Sequence, residues 1–248
     1  MKIGILGVGH IGKTLALKLA DAGHDISVAG SSEPEKIHAD VLATGASAVT
    51  AQQALQDKDV IILSIPLNRI AEIEPLFAAV SQETTVIDTS NYYPARDSKI
   101  ESLEAGMVES LWVKHQLGRP VAKAWNAIGS HSLAIHGKTA GSADRIAIPI
   151  AADRDADREL TIKLVDQTGF DAFDTGSLAD SWRQQPGAPV YCTDLTLTEI
   201  QAVINSAEKQ RLPARRDLAV AAIMERLASP TTNPDSAYGV RISRALYM

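Results

Sequence analysis

Residues 7–12 read Gly7-Val8-Gly9-His10-Ile11-Gly12, a GxGxxG spacing set between a short apolar run, Lys2 to Leu6, and a segment whose Ile11, Leu15 and Leu19 recur every fourth residue, as one face of a helix does. Each glycine of such a strand–turn–helix has its own physical task. Gly7 permits the tight turn, Gly9 lets a pyrophosphate approach the backbone, and Gly12 lets the helix pack closely on the strand. Gly23 stands where a helix end takes positive φ, and Asp25 to Ala29 reads as a second strand. A helix of about 12 residues between two strands makes them parallel neighbours joined by a right-handed crossover. The first 29 residues therefore predict a βαβ unit whose helix N-terminus faces phosphates.

The alternation continues. Buried-strand candidates lie at Val60 to Ser64, Thr85 to Asp88, Val121 to Ala124, Ile146 to Ala151 and Asp171 to Asp174, separated by helix-length segments. Asp153 to Thr168 reads as a helix with Ala156, Leu160 and Leu164 on one face, closed by Gly169. This pattern predicts an α/β fold with a doubly wound, mostly parallel Rossmann-like sheet. From Thr193 the pattern turns helical, through Asp194 to Glu208 and Ala214 to Ala228. We expect a dinucleotide-binding domain over residues 1–192 and a C-terminal helical extension over 193–248. The last 20 residues read as an extended arm, whose apolar Tyr238, Val240, Ile242, Leu246 and Tyr247 must pack on the body or on a second subunit.

Composition narrows the partners. With 45% hydrophobic and 22% charged residues the chain has ordinary globular content. A formal charge of -6 gives no basic field for nucleic acid or an anionic membrane. No window approaches the roughly 20 apolar residues of a membrane helix. The opening resembles a signal peptide superficially, but Gly7, Gly9, Gly12 and Lys13 interrupt it, so it reads as part of the fold. Cys192 is the only cysteine, which excludes an internal disulfide and makes a reducing compartment, the cytoplasm, the expected location.

Gly7 to Thr14 also satisfies GxxxxGKT, the phosphate-binding loop of nucleoside triphosphatases, with Lys13 for the outer phosphates, Thr14 for magnesium and Asp88 as a magnesium-holding acid after an apolar strand. The dinucleotide template is favoured because it alone explains Gly9. The second strand ends in Ala29-Gly30-Ser31-Ser32, without the acid that receives ribose hydroxyls in NAD binders. Ser31 and Ser32 with Lys36 suit the 2′-phosphate of NADP, against which stand the nearby Glu33 and Glu35. Ser32 with Glu35 also has the spacing of a helix capping box.

The opening GILGVGHIGKTLALKLADAGHDISVAGSSEPEK, then Leu63-Ser64-Ile65-Pro66, Lys123-Ala124-Trp125-Asn126-Ala127-Ile128 and Asp174-Thr175-Gly176-Ser177-Leu178, occur in the order seen in deazaflavin (coenzyme F420)-dependent NADP reductases. The chain resembles that family over roughly residues 1 to 180; the same fold serves the ferric-reductase domain of STEAP proteins and the N-terminal domain of pyrroline-carboxylate reductases. The resemblance implies that Gly7, Val8, Gly9, His10, Ile11 and Gly12 hold the pyrophosphate, that Ser31, Ser32 and Lys36 meet the 2′-phosphate, that Ser64, Ile65 and Pro66 flank the nicotinamide ribose, and that Asn126 borders the nicotinamide and a second ring system. Hydride would pass between the nicotinamide and a flavin or deazaflavin, chemistry that the cofactors carry and the protein orients. The chain departs from the pattern at Ser32, where members often place Arg. It departs again at Ala179 to Gly187, which lack the usual acidic turn, and in the extension beyond Thr193.

Other residues read more plainly. Asp153, Asp155 and Asp157 open like a calcium loop, but Arg158 and Leu164 stand where Gly and Glu are required, so they read as the acidic first turn of a helix. His10, His24, His38, His115, His131 and His136 show no metal-ligand spacing, and no metal is expected. Gly129-Ser130-His131-Ser132 shows neither GxSxG nor an acid partner and reads as a surface loop. Tyr92 and Tyr93, beyond the Asp88 strand, either line the cleft, where a proton donor for a carbonyl or imine is conceivable, or simply pack.

The sequence thus predicts a homodimeric NADP(H)-dependent oxidoreductase with a flavin or deazaflavin as second substrate. Direct reduction of a small imine or carbonyl compound is the alternative within the class; a phosphotransferase and a non-catalytic NADP-binding sensor are those outside it.

Overall fold

The computed structural model describes residues 1–229 and 232–248. Its eight strands, β1 (Lys2–Leu6), β2 (Asp25–Ala29), β3 (Ser47–Ala48), β4 (Val60–Leu63), β5 (Thr85–Asp88), β6 (Ala122–Lys123), β7 (Ala147–Ala152) and β8 (Asp171–Asp174), form one sheet. Their order is β3-β2-β1-β4-β5-β6-β7-β8. The chain winds outward from β1 to β3, crosses back to β4 on the other side of β1, and winds outward again. The reversal between β1 and β4 opens a crevice at the strands' carboxyl ends, where ligands of such sheets bind.

Neighbouring strands are parallel except β6 and β7, where Ala122 faces Ala152 and Lys123 faces Ala151 in antiparallel register. Both faces of the central strands are covered, so they read as unbroken apolar runs rather than alternating ones. Along β4, Val60 and Ile62 join Leu15, Leu19 and Ile26 in one core, whereas Ile61 and Leu63 join Leu67, Val86 and Val113 in the other. The doubly wound sheet read from the sequence is the sheet observed, and β1, β2, β5 and β8 fall on the expected residues. The two-residue edge strand β3 carries too little pattern to be predicted.

Three local expectations change. The helix expected over Asp153–Thr168 spans Asp155–Gln167, and its acids have separate cationic partners: Asp153 with Lys114, Asp155 with Arg158, and fully buried Asp157 with Arg154. Asp157 also accepts from Thr85 Oγ1 at 2.7 Å, tying that helix to β5. The first extension helix begins late, spanning Leu197–Val203, because the reciprocal Thr196–Glu199 capping box sets its start while Thr193 and a left-handed Asp194 (φ 48°) hold the preceding turn. The long helix after it spans Leu212–Leu227.

The expected extended arm is also different. Ser236–Tyr247 is a helix, begun by Asp235 accepting from the Tyr238 amide. It packs on the helix Leu212–Leu227, with Tyr238 Oη donating to the Ala222 carbonyl at 3.2 Å and Tyr247 buried beside Ala188, Tyr191 and Leu212. The spacing of Tyr238, Ile242 and Leu246 is helical, but the Pro- and Thr-rich lead-in masks it. Pro230 and Thr231, within that arm, lie outside the described residues. The apolar side chains expected to seek the body do so.

Candidate dinucleotide site

The loop after β1 can be tested glycine by glycine. Gly7 has φ +100°, and a β-carbon there would lie 2.1 Å from the Ser64 carbonyl oxygen. On Gly12 it would lie 1.9 Å from the Gly7 carbonyl oxygen and 3.2 Å from Ser64 Cβ. On Gly9 it would meet nothing within 4 Å. Two of the three glycines are thus required by the protein's own packing, and Gly9 is not. Its β-carbon would enter open space at the head of the helix His10–Asp21, the space a pyrophosphate needs. That helix has no side-chain cap at Gly9 and no acid in its first turn, so its leading amides stay free for an anion. The cradle fits a dinucleotide.

The residues of the competing triphosphatase template are committed elsewhere. Lys13 is ion-paired with Asp40, and Thr14 Oγ1 donates to the His10 carbonyl at 2.9 Å. Asp88 is fully buried against Lys123 Nζ at 2.7 Å, where no hydrated magnesium fits. The geometry serves GxGxxG.

Around the crevice, Val8 and Ile11 are half-buried against the core and His10 is exposed. Val8 lies under Gly30 at the tip of β2. Ser31, Ser32 and Lys36 are exposed just beyond that tip, and their side chains make no hydrogen bond among the described residues. The Ser32–Glu35 capping box does not form: the turn Pro34–Lys36 starts from Glu33 without a side-chain cap. Those donors are therefore free for a ligand. Across β1, the Ser64 amide donates to the Leu6 carbonyl at 2.8 Å, which sets half-buried Ser64 and Ile65 and exposed Pro66 at the floor of the glycine turn.

Asn126 is 2% exposed, and its amide is committed within the protein. Nδ2 donates to Asn91 Oδ1 (3.1 Å) and to the Gln184 carbonyl (2.9 Å), while Oδ1 accepts from Gln184 Nε2 (2.9 Å). Asn91 Nδ2 in turn donates to the Asn126 carbonyl at 2.9 Å. Asn126 thus ties the ends of β5 and β6 to the segment 178–185. Half-buried Asn91 is the more accessible of the two amides.

Several residues at this edge are not legible as a site in the sequence. Lys123, wholly buried, bridges Asp88 and the Ser90 carbonyl. Glu109, 3% exposed, accepts from the Tyr92 amide at 3.1 Å. Burial pushes its carboxyl up to about 7 against the pull of Lys123. Tyr93 Oη and Tyr191 Oη lie 2.7 Å apart, and burial holds both phenols above the usual tyrosine range. A charged residue inside an apolar strand, as Lys123 is, was the one available signal. Gly129-Ser130-His131-Ser132 is not a surface loop: Ser130–Ile135 is helical, and Ser132, 1% exposed, donates to Asp194 at 2.6 Å. No group of three or more metal-ligating side chains occurs among the described residues.

A doubly wound sheet with this glycine turn and open helix head defines the class of NAD(P)-dependent oxidoreductases. Within it, residues 2–92 match the family of coenzyme F420-dependent NADP oxidoreductases, so the resemblance read from the opening motif is borne out over that stretch. The chain is similar to a hypothetical protein, SMa0349, from Sinorhizobium meliloti, with 26% identity and a TM-score of 0.69 over 79% of this chain and 95% of that one. It shares its fold with a protein of Arthrobacter sp. FB24 provisionally named an F420-dependent NADP reductase, at 16% identity and a TM-score of 0.58 over 95% of this chain and 98% of that one. A 54-residue stretch is 50% identical to the Escherichia coli (strain K12) protein YjhV, covering 22% of this chain and 39% of that relative's length.

Proposed function

We propose that the chain transfers hydride between NADPH and a flavin or deazaflavin acceptor. The observation that carries this is Gly9, the one fingerprint glycine that no protein contact requires and whose missing side chain leaves room at an uncapped helix head. The family match over residues 2–92 supports both the nucleotide and the deazaflavin. Gly7 to Gly12 would hold the pyrophosphate; Ser31, Ser32 and Lys36 would read the 2′-phosphate; Ser64, Ile65 and Pro66 would flank the nicotinamide ribose. Asn126 would hold the far wall in place through Asn91 and Gln184. When bound, NADPH supplies the hydride, and the chain's residues orient it and exclude water.

A second reading, direct reduction of a small carbonyl or imine, is favoured by the Tyr93–Tyr191 hydroxyl pair at the same edge. Anaerobic NADPH oxidation with FMN, FAD, a 5-deazaflavin and small carbonyl and imine compounds, with NADH in parallel, distinguishes the two. Turnover with a ring system alone upholds the first. We also read the protein as cytoplasmic and homodimeric. Supporting these readings, Leu218 and Met224 are exposed on the helix Leu212–Leu227, and among the described residues no helix is long and apolar enough to cross a membrane.

A further inference from the structure

We propose that Tyr93 is the proton donor of the reaction at the carboxyl edge of β5 and β6, with Tyr191 as its positioning residue, and that the acceptor is accordingly a small carbonyl or imine compound. This rests on the nucleotide site proposed above.

Of the two adjacent tyrosines, only one is placed for the task. Tyr92 is 3% exposed, and its hydroxyl donates to Glu104 at 2.8 Å while accepting from the Ile100 amide at 3.0 Å. Tyr93 is partly exposed, and its hydroxyl has a single partner, Tyr191 Oη. Its backbone is fixed two residues beyond Asn91, whose side chain joins Asn126 at the end of β6, and its amide donates to Asp97 at 2.9 Å. The Arg96 guanidinium lies 5.4 Å from the ring centroid and donates to the Asn91 carbonyl at 2.7 Å, so ring and loop are held together.

Tyr191 is held just as firmly. It is 7% exposed, the next amide, Cys192, donates to the Ala127 carbonyl at 2.8 Å, and the Tyr247 ring packs 6.5 Å away. If Tyr191 donates across the 2.7 Å contact, the Tyr93 proton is left free to point to a ligand.

The chemistry selects the acceptor class. When a carbonyl or imine carbon takes a hydride, its π pair collapses onto one oxygen or nitrogen, which must gain a proton. A flavin or deazaflavin spreads the same pair over a ring system and needs no dedicated acid. In the proposed step the carbon–hydride bond forms, the π pair moves to the heteroatom, and that atom takes the Tyr93 proton. The Tyr191 proton passes to the Tyr93 oxygen, and solvent restores the pair. Desolvation keeps both phenols protonated at neutral pH, as a donor must be.

The test uses the full chain with NADPH and methylglyoxal, 2-oxobutyrate or 1-pyrroline, beside FMN and a 5-deazaflavin. The expected result is reduction of at least one carbonyl or imine, with Tyr93→Phe lowering kcat by about 100-fold and NADPH affinity, read by fluorescence, kept within twofold. A second measurement needs no turnover. In Tyr191→Phe, tyrosinate absorbance should place Tyr93 ionisation at still higher pH, because a donor to its oxygen has gone; a merely loosened site would hydrate Tyr93 and move it lower. The proposal is overturned, and the nucleotide site stands, if NADPH binds but no carbonyl or imine is reduced, or if Tyr93→Phe turns over as wild type. Absence of NADPH binding overturns the nucleotide site itself.

Discussion

Lys123 Nζ lies 2.7 Å from Asp88 Oδ2 with neither side chain open to solvent, one residue pair linking the carboxyl ends of β5 and β6. Lys123 also donates to the Ser90 carbonyl, so one ammonium fixes both the strand end and the first turn of the loop that carries Asn91 and Tyr93. Removing one partner of a buried pair leaves the other charge stranded. Lys123→Ala should therefore cost about 3–5 kcal/mol of stability, measured by urea unfolding. Asp88→Asn with Lys123→Met should recover part of that loss, since no unpaired charge remains.

Gly12→Ala and Gly9→Ala should separate packing from binding. At Gly12 the new methyl meets the Gly7 carbonyl, which belongs to backbone and cannot swing away, so the variant should unfold at a melting temperature several degrees below wild type or fail to accumulate. At Gly9 the methyl enters open space, so folding should be unchanged while NADPH affinity falls at least tenfold by fluorescence titration. Unchanged affinity in Gly9→Ala removes the pyrophosphate from that loop.

Lys36→Glu should weaken NADPH more than NADH. Its ammonium is exposed beyond the tip of β2 with Ser31 and Ser32, and only NADPH carries the 2′-phosphate that charge would meet. A reversal of sign at an exposed site should lower the NADPH/NADH affinity ratio roughly tenfold at low salt and less at high salt. Equal losses for both nucleotides would assign the 2′-phosphate elsewhere.

Glu109 gives a pH dependence of defined sign. The folded carboxyl ionises at about 7, whereas an unfolded glutamate does so near 4.5. Between those values the folded chain holds a proton that the unfolded chain has released. Stability from this group therefore falls as pH rises through that window, with the full loss reached above 7. Glu109→Gln keeps an oxygen to accept from the Tyr92 amide and has no charge to bury. Its stability relative to wild type should rise from pH 5 to pH 8 by up to about 3 kcal/mol, at about 1.4 kcal/mol per pH unit of displacement. A difference that does not vary with pH would show that the Glu109 carboxyl is not displaced.

The sequence by itself determined the parallel, doubly wound sheet and its glycine turn, because both rest on local rules: apolar runs of strand length, crossover helices with a four-residue face, and glycines whose spacing a strand–turn–helix requires. Ser31, Ser32 and Lys36 were legible for the same reason, since they follow β2 directly. The tertiary structure alone decided the far wall. Tyr93 meets Tyr191 across 98 residues of chain, Asn126 meets Gln184 across 58, and Lys123 meets Asp88 across 35. Each of those residues has an ordinary local context, and no periodicity announces a partner so distant. The terminal helix Ser236–Tyr247 lies between the two cases. Its apolar spacing was present, but only packing on the helix Leu212–Leu227 makes a helix more favourable there than an arm in water.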